Sequence, residues 1–269
     1  MNDAFAERYF TGSTLYGDDF GKDQIKTWYE KEEHGYFNLT QSYKEYVYSY
    51  HALNEFHAFQ FLKERYECCL AFGCAKGDDV ALLAARVDKF IAIEPAEKWW
   101  SNEINGTAAE FLKPSAMGDI PLSDASVGLA VCSGVLHHIP NASHVLSELA
   151  RVLRPRGHLL LREPISTMGD WRKPRRGLTA NERGFPPGWI DARAASLGLQ
   201  VVRKRYCFFP LMPRLEHAFG LKPVYNSRLF VRLDYFLSSL TSWNLHYHRD
   251  SAWKKIAPGA IFYTFEKAN

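Results

Sequence analysis

The 269-residue sequence has no apolar run near the ~20 residues that a membrane-spanning helix needs. Its first stretch, Met1 to Arg8, is polar and charged and has no apolar signal core. These absences predict a soluble, cytoplasmic protein. Charge of one sign is scarce too: a formal net charge of +3 is too mild to argue for a nucleic-acid partner. Cysteine is sparse and odd in number, with five residues, Cys68, Cys69, Cys74, Cys132 and Cys207, most of them in or beside apolar runs. That pattern suits reduced, buried thiols better than a disulfide framework. Repeats and low-complexity tracts are missing. His246-x-His248 lacks an acidic or cysteine partner at ligand spacing, so no metal is expected.

What is present is enough apolar content, 46%, for a sizeable core in one large domain with appendages. Residues 67–209 alternate strand and helix signals. Val127–Ser133 reads as a buried strand, and Asn141–Leu153 as an amphipathic helix with Asn141 as N-cap. His158–Glu163 reads as a strand, Trp189–Leu197 as a helix closed by Gly198, and Gln200–Phe209 as another strand. The alternation predicts an α/β fold, a largely parallel sheet between helices. Residues 1–66 hold most of the tyrosines and form a helical cap segment, clearest over 43–65. Residues 210–256, rich in Pro, aromatics and Arg, read as a helical insertion or lid. Residues 257–269 supply one last strand, over 260–266.

The richest signal lies at 68–77, Cys-Cys-Leu-Ala-Phe-Gly-Cys-Ala-Lys-Gly, followed by a helix-like Asp78–Arg86. A strand, a tight glycine loop and a helix start bring bare backbone close to a nucleotide-like ligand. A second apolar run, Phe90–Ile93, then ends on Glu94 and Pro95. A carboxylate at that strand tip is placed to hold ribose hydroxyls. Asp78 and Asp79 read as helix N-cap and first-turn acids.

Two further blocks carry a resemblance. Ile120–Pro140, containing Val135-Leu136-His137-His138, and Leu149–Pro164, containing Arg151-Val152-Leu153-Arg154-Pro155-Arg156-Gly157, resemble the central motifs of class I S-adenosylmethionine-dependent methyltransferases. The resemblance covers residues 67–208 and the final strand. It implies a Rossmann-like three-layer sandwich whose seven-stranded sheet has its last strand antiparallel, inserted between two others. It implies S-adenosylmethionine as cofactor, lined by Ala71, Gly73, Cys74, Ala75, Gly77, Glu94, Pro95, Met117, Asp119 and Ser133. The sequence departs from the family pattern at Ala71, where an acid usually stands, and at Ala75, which replaces the middle glycine. The methyl of Ala75 is harmless at negative φ and costly at positive φ.

The same resemblance puts His137 and His138 where acceptor and cofactor meet, and an imidazole can take a hydroxyl proton near neutral pH. The segment after the fifth strand carries Arg162, Trp171, Arg172, Lys173, Arg175, Arg176 and Arg183. Arginine forks suit phosphate or carboxylate, and Trp171 offers a flat face. Arg162, Trp171, Arg172, Arg175 and Arg176 are therefore the expected substrate contacts. The expected reaction is O-methylation of a small anionic acceptor such as a sugar or glycan precursor. A non-catalytic scaffold of the same fold and a lipid or quinone methyltransferase are the alternatives. The apolar faces of the insertion would cap the site, pack a homodimer or touch a membrane surface.

Overall fold

The computed structural model describes residues 3–41, 48–62, 65–171, 173–175, 177–220 and 223–269. Eight strands form one sheet: β1 (Tyr66–Phe72), β2 (Val87–Ile93), β3 (Glu103–Ile104), β4 (Thr107–Leu112), β5 (Val127–Ser133), β6 (Leu153–Pro164), β7 (Leu199–Cys207) and β8 (Ala260–Lys267). Their order is β3-β4-β2-β1-β5-β6-β8-β7. Neighbours from β4 to β6 run parallel, and β8 is antiparallel between β6 and β7. The expected seven strands are all there. The eighth is the two-residue β3, folded back on β4 through the turn at Asn105–Gly106.

Both faces of the sheet are covered, which is why its central strands read as unbroken apolar runs. In β1, Cys68, Leu70 and Phe72 join the layer that holds α4 (Ala142–Val152), whereas Cys69 and Ala71 pack with Phe59, Val80 and Leu83 on the other side. All five cysteines are free and buried. The strand order reverses between β1 and β5, so the crevice at their carboxyl ends is where an open α/β sheet takes its ligand.

The helix expected after the glycine loop does not form. Only residues 73–86 separate β1 from β2, near the minimum for a parallel crossover. They are used up by turns and a 3-10 segment, Ala81–Arg86, and Asp79 is buried rather than a solvated first-turn acid. Asn141 precedes α4 as expected but does not cap it. Its amide donates to the Met117 carbonyl, and Asp18 caps from a distance by accepting the Ser143 N–H at 2.8 Å. Of the helix expected over 43–65, the described part is α3 (His51–His57) and a 3-10 turn at Phe59–Phe61; residues 42–47 and 63–64 lie outside the described residues.

The other helices are α1 (Asp3–Phe10), α2 (Lys22–Gln41), α5 (Trp189–Ser196), α6 (Leu211–Phe219) and α7 (Arg228–Leu240). α2 shows its periodicity plainly: Ile25, Trp28 and Glu32 are buried on one face. α7 is pinned by Asp234, whose buried carboxylate accepts the N–H groups of Phe208 (3.0 Å) and Phe209 (2.7 Å) just after β7.

Candidate functional site

The loop between β1 and its crossover is held in left-handed conformations, with φ of +65° at Gly73, +49° at Ala75 and +89° at Gly77. A Cβ on Gly73 would sit 2.5 Å from Val135, and one on Gly77 would sit 2.6 Å from Ile104, so both positions demand glycine. Glu94 braces the loop: its carboxylate accepts the Ala75 N–H and the Ala96 N–H, each at 2.9 Å. Burial raises the pKa of this carboxyl, and the two N–H donors oppose that rise.

Ala75 thus sits at the costly sign of φ. A left-handed conformation costs a residue with a Cβ roughly 1–2 kcal/mol, part of which glycine returns as unfolded-chain entropy. Ala75→Gly is therefore expected to raise unfolding free energy by about 0.5–1 kcal/mol in a denaturant titration. A lowered midpoint would show that the alanine methyl contributes packing that outweighs its strain.

On the α4 side of the sheet, the ends of β5 and β6 build a second constellation. Glu163 is fully buried at the tip of β6. One of its oxygens accepts the N–H groups of Val135 (2.9 Å) and Leu136 (2.8 Å), and the other meets His137 Nδ1 at 2.8 Å. A carboxylate that already accepts two N–H bonds can only accept, so the shared proton sits on Nδ1. His137 Nε2 then keeps its lone pair and has no hydrogen-bond partner among the described residues. Burial lowers the His137 pKa, with the neighbouring His138 adding to the effect and Glu163 opposing it.

His138 behaves oppositely. Burial would lower its pKa, but the hydrogen bond to Glu32 and the charges of Glu182, Glu32 and Glu163 outweigh it and raise the value. Its Nδ1 lies 3.0 Å from Glu32 and 3.7 Å from Glu182. Glu32 also accepts the Thr179 hydroxyl and the Asn181 N–H, and Glu182 accepts the Thr179 N–H at 2.9 Å. The two rings are 4.1 Å apart. Ligand-type atoms of His137, His138 and Glu182 lie within 4.8 Å of one another.

On the opposite face, Arg162 is buried at the end of β6. It donates to Asn54 Oδ1 at 3.1 Å and lies 4.7 Å over the Tyr50 ring. Asn54 in turn donates to the Tyr48 hydroxyl (2.8 Å) and to the Asp79 carbonyl (3.1 Å). Burial pushes the Asp79 carboxyl up to about 7. Its Oδ1, like Ser133 Oγ at the end of β5, is buried without a partner among the described residues.

The remaining expected contacts are distributed differently. Asp119 is turned to the surface, accepting from the Ser115 hydroxyl at 2.6 Å and pairing with His144 at 2.8 Å, while Met117 gives its carbonyl to Asn141. Trp171 stacks with Phe10 (4.6 Å) and with Tyr16 (4.9 Å), so its ring packs against the N-terminal segment. Arg175 gives its donors to the carbonyls of Met168, Thr179, Ala180 and Glu182, so it clamps its own loop instead of gripping an anion. Arg172 and Arg176 lie outside the described residues. Sequence reasoning missed Glu32, Asn54, Glu163 and Glu182 as site residues; Glu32 alone left a trace, a carboxylate on the apolar face of α2.

Residues 70–161 match the family model described as a methyltransferase domain. This stretch is a methyltransferase domain. A curated relative, an uncharacterised 37.1 kDa protein in transposon TN4556 of Streptomyces fradiae, is 32% identical over 111 residues, 39% of this chain and 31% of the relative. The chain thus spans about a third of that relative's length. Among solved structures, the YcgJ protein of Bacillus subtilis superposes with a TM-score of 0.53 at 15% identity, covering 81% of this chain and 99% of that one. An S-adenosylmethionine-dependent methyltransferase of Mesorhizobium loti gives 0.51 at 13% identity, with 77% and 94% covered. The cyclase SpnF gives 0.56 at 13%, with 93% and 97% covered. Such likenesses establish the fold, and SpnF shows that the fold serves more than one chemistry.

A methyltransferase domain implies S-adenosylmethionine as its cofactor, and the residues present fit that group. Glu94 keeps lone pairs beyond its two N–H bonds for ribose hydroxyls. The unpartnered Asp79 Oδ1 and Ser133 Oγ are acceptors that a bound ammonium or hydroxyl would satisfy.

Proposed function

We propose that the protein methylates a hydroxyl group of a small polar acceptor, with a sugar ring as the acceptor class and His137 as general base. The observation that carries this reading is the His137–Glu163 pair, a neutral imidazole with its Nδ1–H fixed and its Nε2 free. S-adenosylmethionine supplies the electrophilic methyl group. The chain's own residues hold the acceptor, exclude water and take its proton at His137 Nε2. His138, whose pKa is raised by Glu32 and Glu182 against the effect of burial, lies against His137 and favours its uncharged form.

A cleft of about 300 Å³ between the N-terminal segment and Asn181 supports the sugar class. Tyr16, Phe20 and Trp28 supply ring faces, and Asp23, Lys31 and Asn181 supply polar groups. Trp28 connects this cleft to the loop that carries both histidines, since its indole N–H donates to the His138 carbonyl at 2.7 Å. With Arg175 taken by main chain, Lys31 is the cleft residue suited to a negatively charged acceptor.

Calorimetry with S-adenosylhomocysteine tests the cofactor half of this reading. Wild-type protein should bind, and Glu94→Ala should weaken binding by about 1–3 kcal/mol through loss of charge-assisted hydrogen bonds. Methyl transfer from labelled S-adenosylmethionine to a panel of sugars tests the other half. Cofactor binding without transfer to any hydroxyl acceptor would leave a scaffold protein with a methyltransferase fold. Lack of binding at millimolar cofactor would defeat the reading altogether.

A further inference from the structure

α7 is amphipathic, yet only one of its apolar faces is used. Val231, Asp234 and Ser238 are buried against β7 and α3. Leu229, Leu233, Phe236 and Leu240 recur at the spacing of a single helical stripe and point to solvent, with Leu229, Phe236 and Leu240 exposed by 73%, 62% and 60%. The stripe continues into Trp243, 70% exposed, whose ring lies 5.7 Å from the exposed ring of Trp253. Soluble proteins rarely present such a contiguous apolar surface without a use for it.

The charges around the stripe select its occupant. Arg228 and Arg232 are exposed on α7 and have no ion-pair partner among the described residues, and Lys255 is exposed beside Trp253. The helix's single acid, Asp234, is turned inward to the N–H groups of Phe208 and Phe209. A second copy packed symmetrically on this face would bring arginines against arginines with no exposed acid of α7 to offset them. Leucines and aromatics on one side, arginines at the margin and tryptophans at the end suit the boundary between lipid headgroups and acyl chains.

We propose that this face of α7, with Trp243 and Trp253, docks the protein on an anionic lipid surface. No helix among the described residues is long and apolar enough to cross a membrane, so the contact is peripheral. The inference stands apart from the acceptor class, because none of these residues lines the cleft or the imidazole pair.

Flotation of the full chain with phosphatidylcholine vesicles, with or without phosphatidylglycerol, tests it. Wild type should float with the anionic vesicles only, and less so as salt rises. Leu229→Ser with Phe236→Ser should weaken binding by roughly tenfold or more. Arg228→Ala and Arg232→Ala should each weaken it by roughly fivefold. All four side chains are exposed, so thermal melts should be unchanged and loss of fold cannot imitate the effect. No flotation of the wild type, or equal flotation of the serine double variant, overturns the proposal. So does a wild-type dimer in sedimentation velocity that the double variant abolishes, which would assign the face to a second copy.

Discussion

His137→Ala is expected to lower turnover by about 10²–10⁴-fold while leaving S-adenosylhomocysteine affinity unchanged, the range typical of a lost general base. The expectation follows from one proton. Glu163 accepts the N–H groups of Val135 and Leu136 on one oxygen and the His137 Nδ1–H on the other, which leaves Nε2 as the basic atom. Glu163→Gln should be nearly as damaging, although it changes neither size nor cavity. A glutamine must keep its oxygen on the two backbone donors and turn its NH₂ toward Nδ1. The imidazole then moves its proton to Nε2, where it can no longer take one from the acceptor. Because burial and His138 lower the His137 pKa, its neutral form persists into mildly acidic solution. The acid limb of the turnover profile should therefore lie below the ordinary histidine value of about 6.5. Wild-type turnover by His137→Ala would assign the pair to packing, and an unaltered Glu163→Gln enzyme would remove Glu163 from its positioning role.

Much of this fold was legible because both faces of the sheet are buried. β5 is Val127–Ser133 as its apolar run implies, and α4 and β8 deviate by about one residue from their patterns. The glycine loop and Glu94 were legible for a different reason: left-handed turns and a strand-tip acid leave marks at fixed positions. What pattern could not show is direction. Arg162 and Glu163 are adjacent in the sequence, yet strand alternation sends them to opposite faces, Arg162 to Asn54 and Tyr50, Glu163 to His137. The basic run after β6 looked like an anion site because arginine's donors suit phosphate and main-chain carbonyls equally well. Only folding decides which of the two they meet. Glu32 offered the one local conflict, a charge on the apolar face of α2, and such conflicts tend to fall at functional sites.

Arg183 carries the largest expected stability effect. Its guanidinium is fully buried and donates to four main-chain carbonyls: Tyr16 (3.0 Å), Leu136 (3.0 Å), Ile139 (2.7 Å) and Pro140 (3.2 Å). One side chain thus ties the N-terminal segment to the loop that carries both histidines, and it lies 5.0 Å over the Phe185 ring. Arg183→Met keeps much of the volume but leaves those carbonyls without donors. Unsatisfied buried acceptors cost about 1–3 kcal/mol each, and relaxation or entering water recovers part of that, so the net loss should be about 3–5 kcal/mol. In a chain of this size that lowers Tm by roughly 10 °C. Below the new midpoint turnover should also fall, since Leu136 and Ile139 flank the histidine pair, whereas an anion-binding role would instead raise KM and respond to salt. A melt within about 2 °C of wild type would show that solvent replaces the guanidinium in full, and the N-terminal segment would then be held to the imidazole pair by other contacts, among them the Trp28 indole and Glu32.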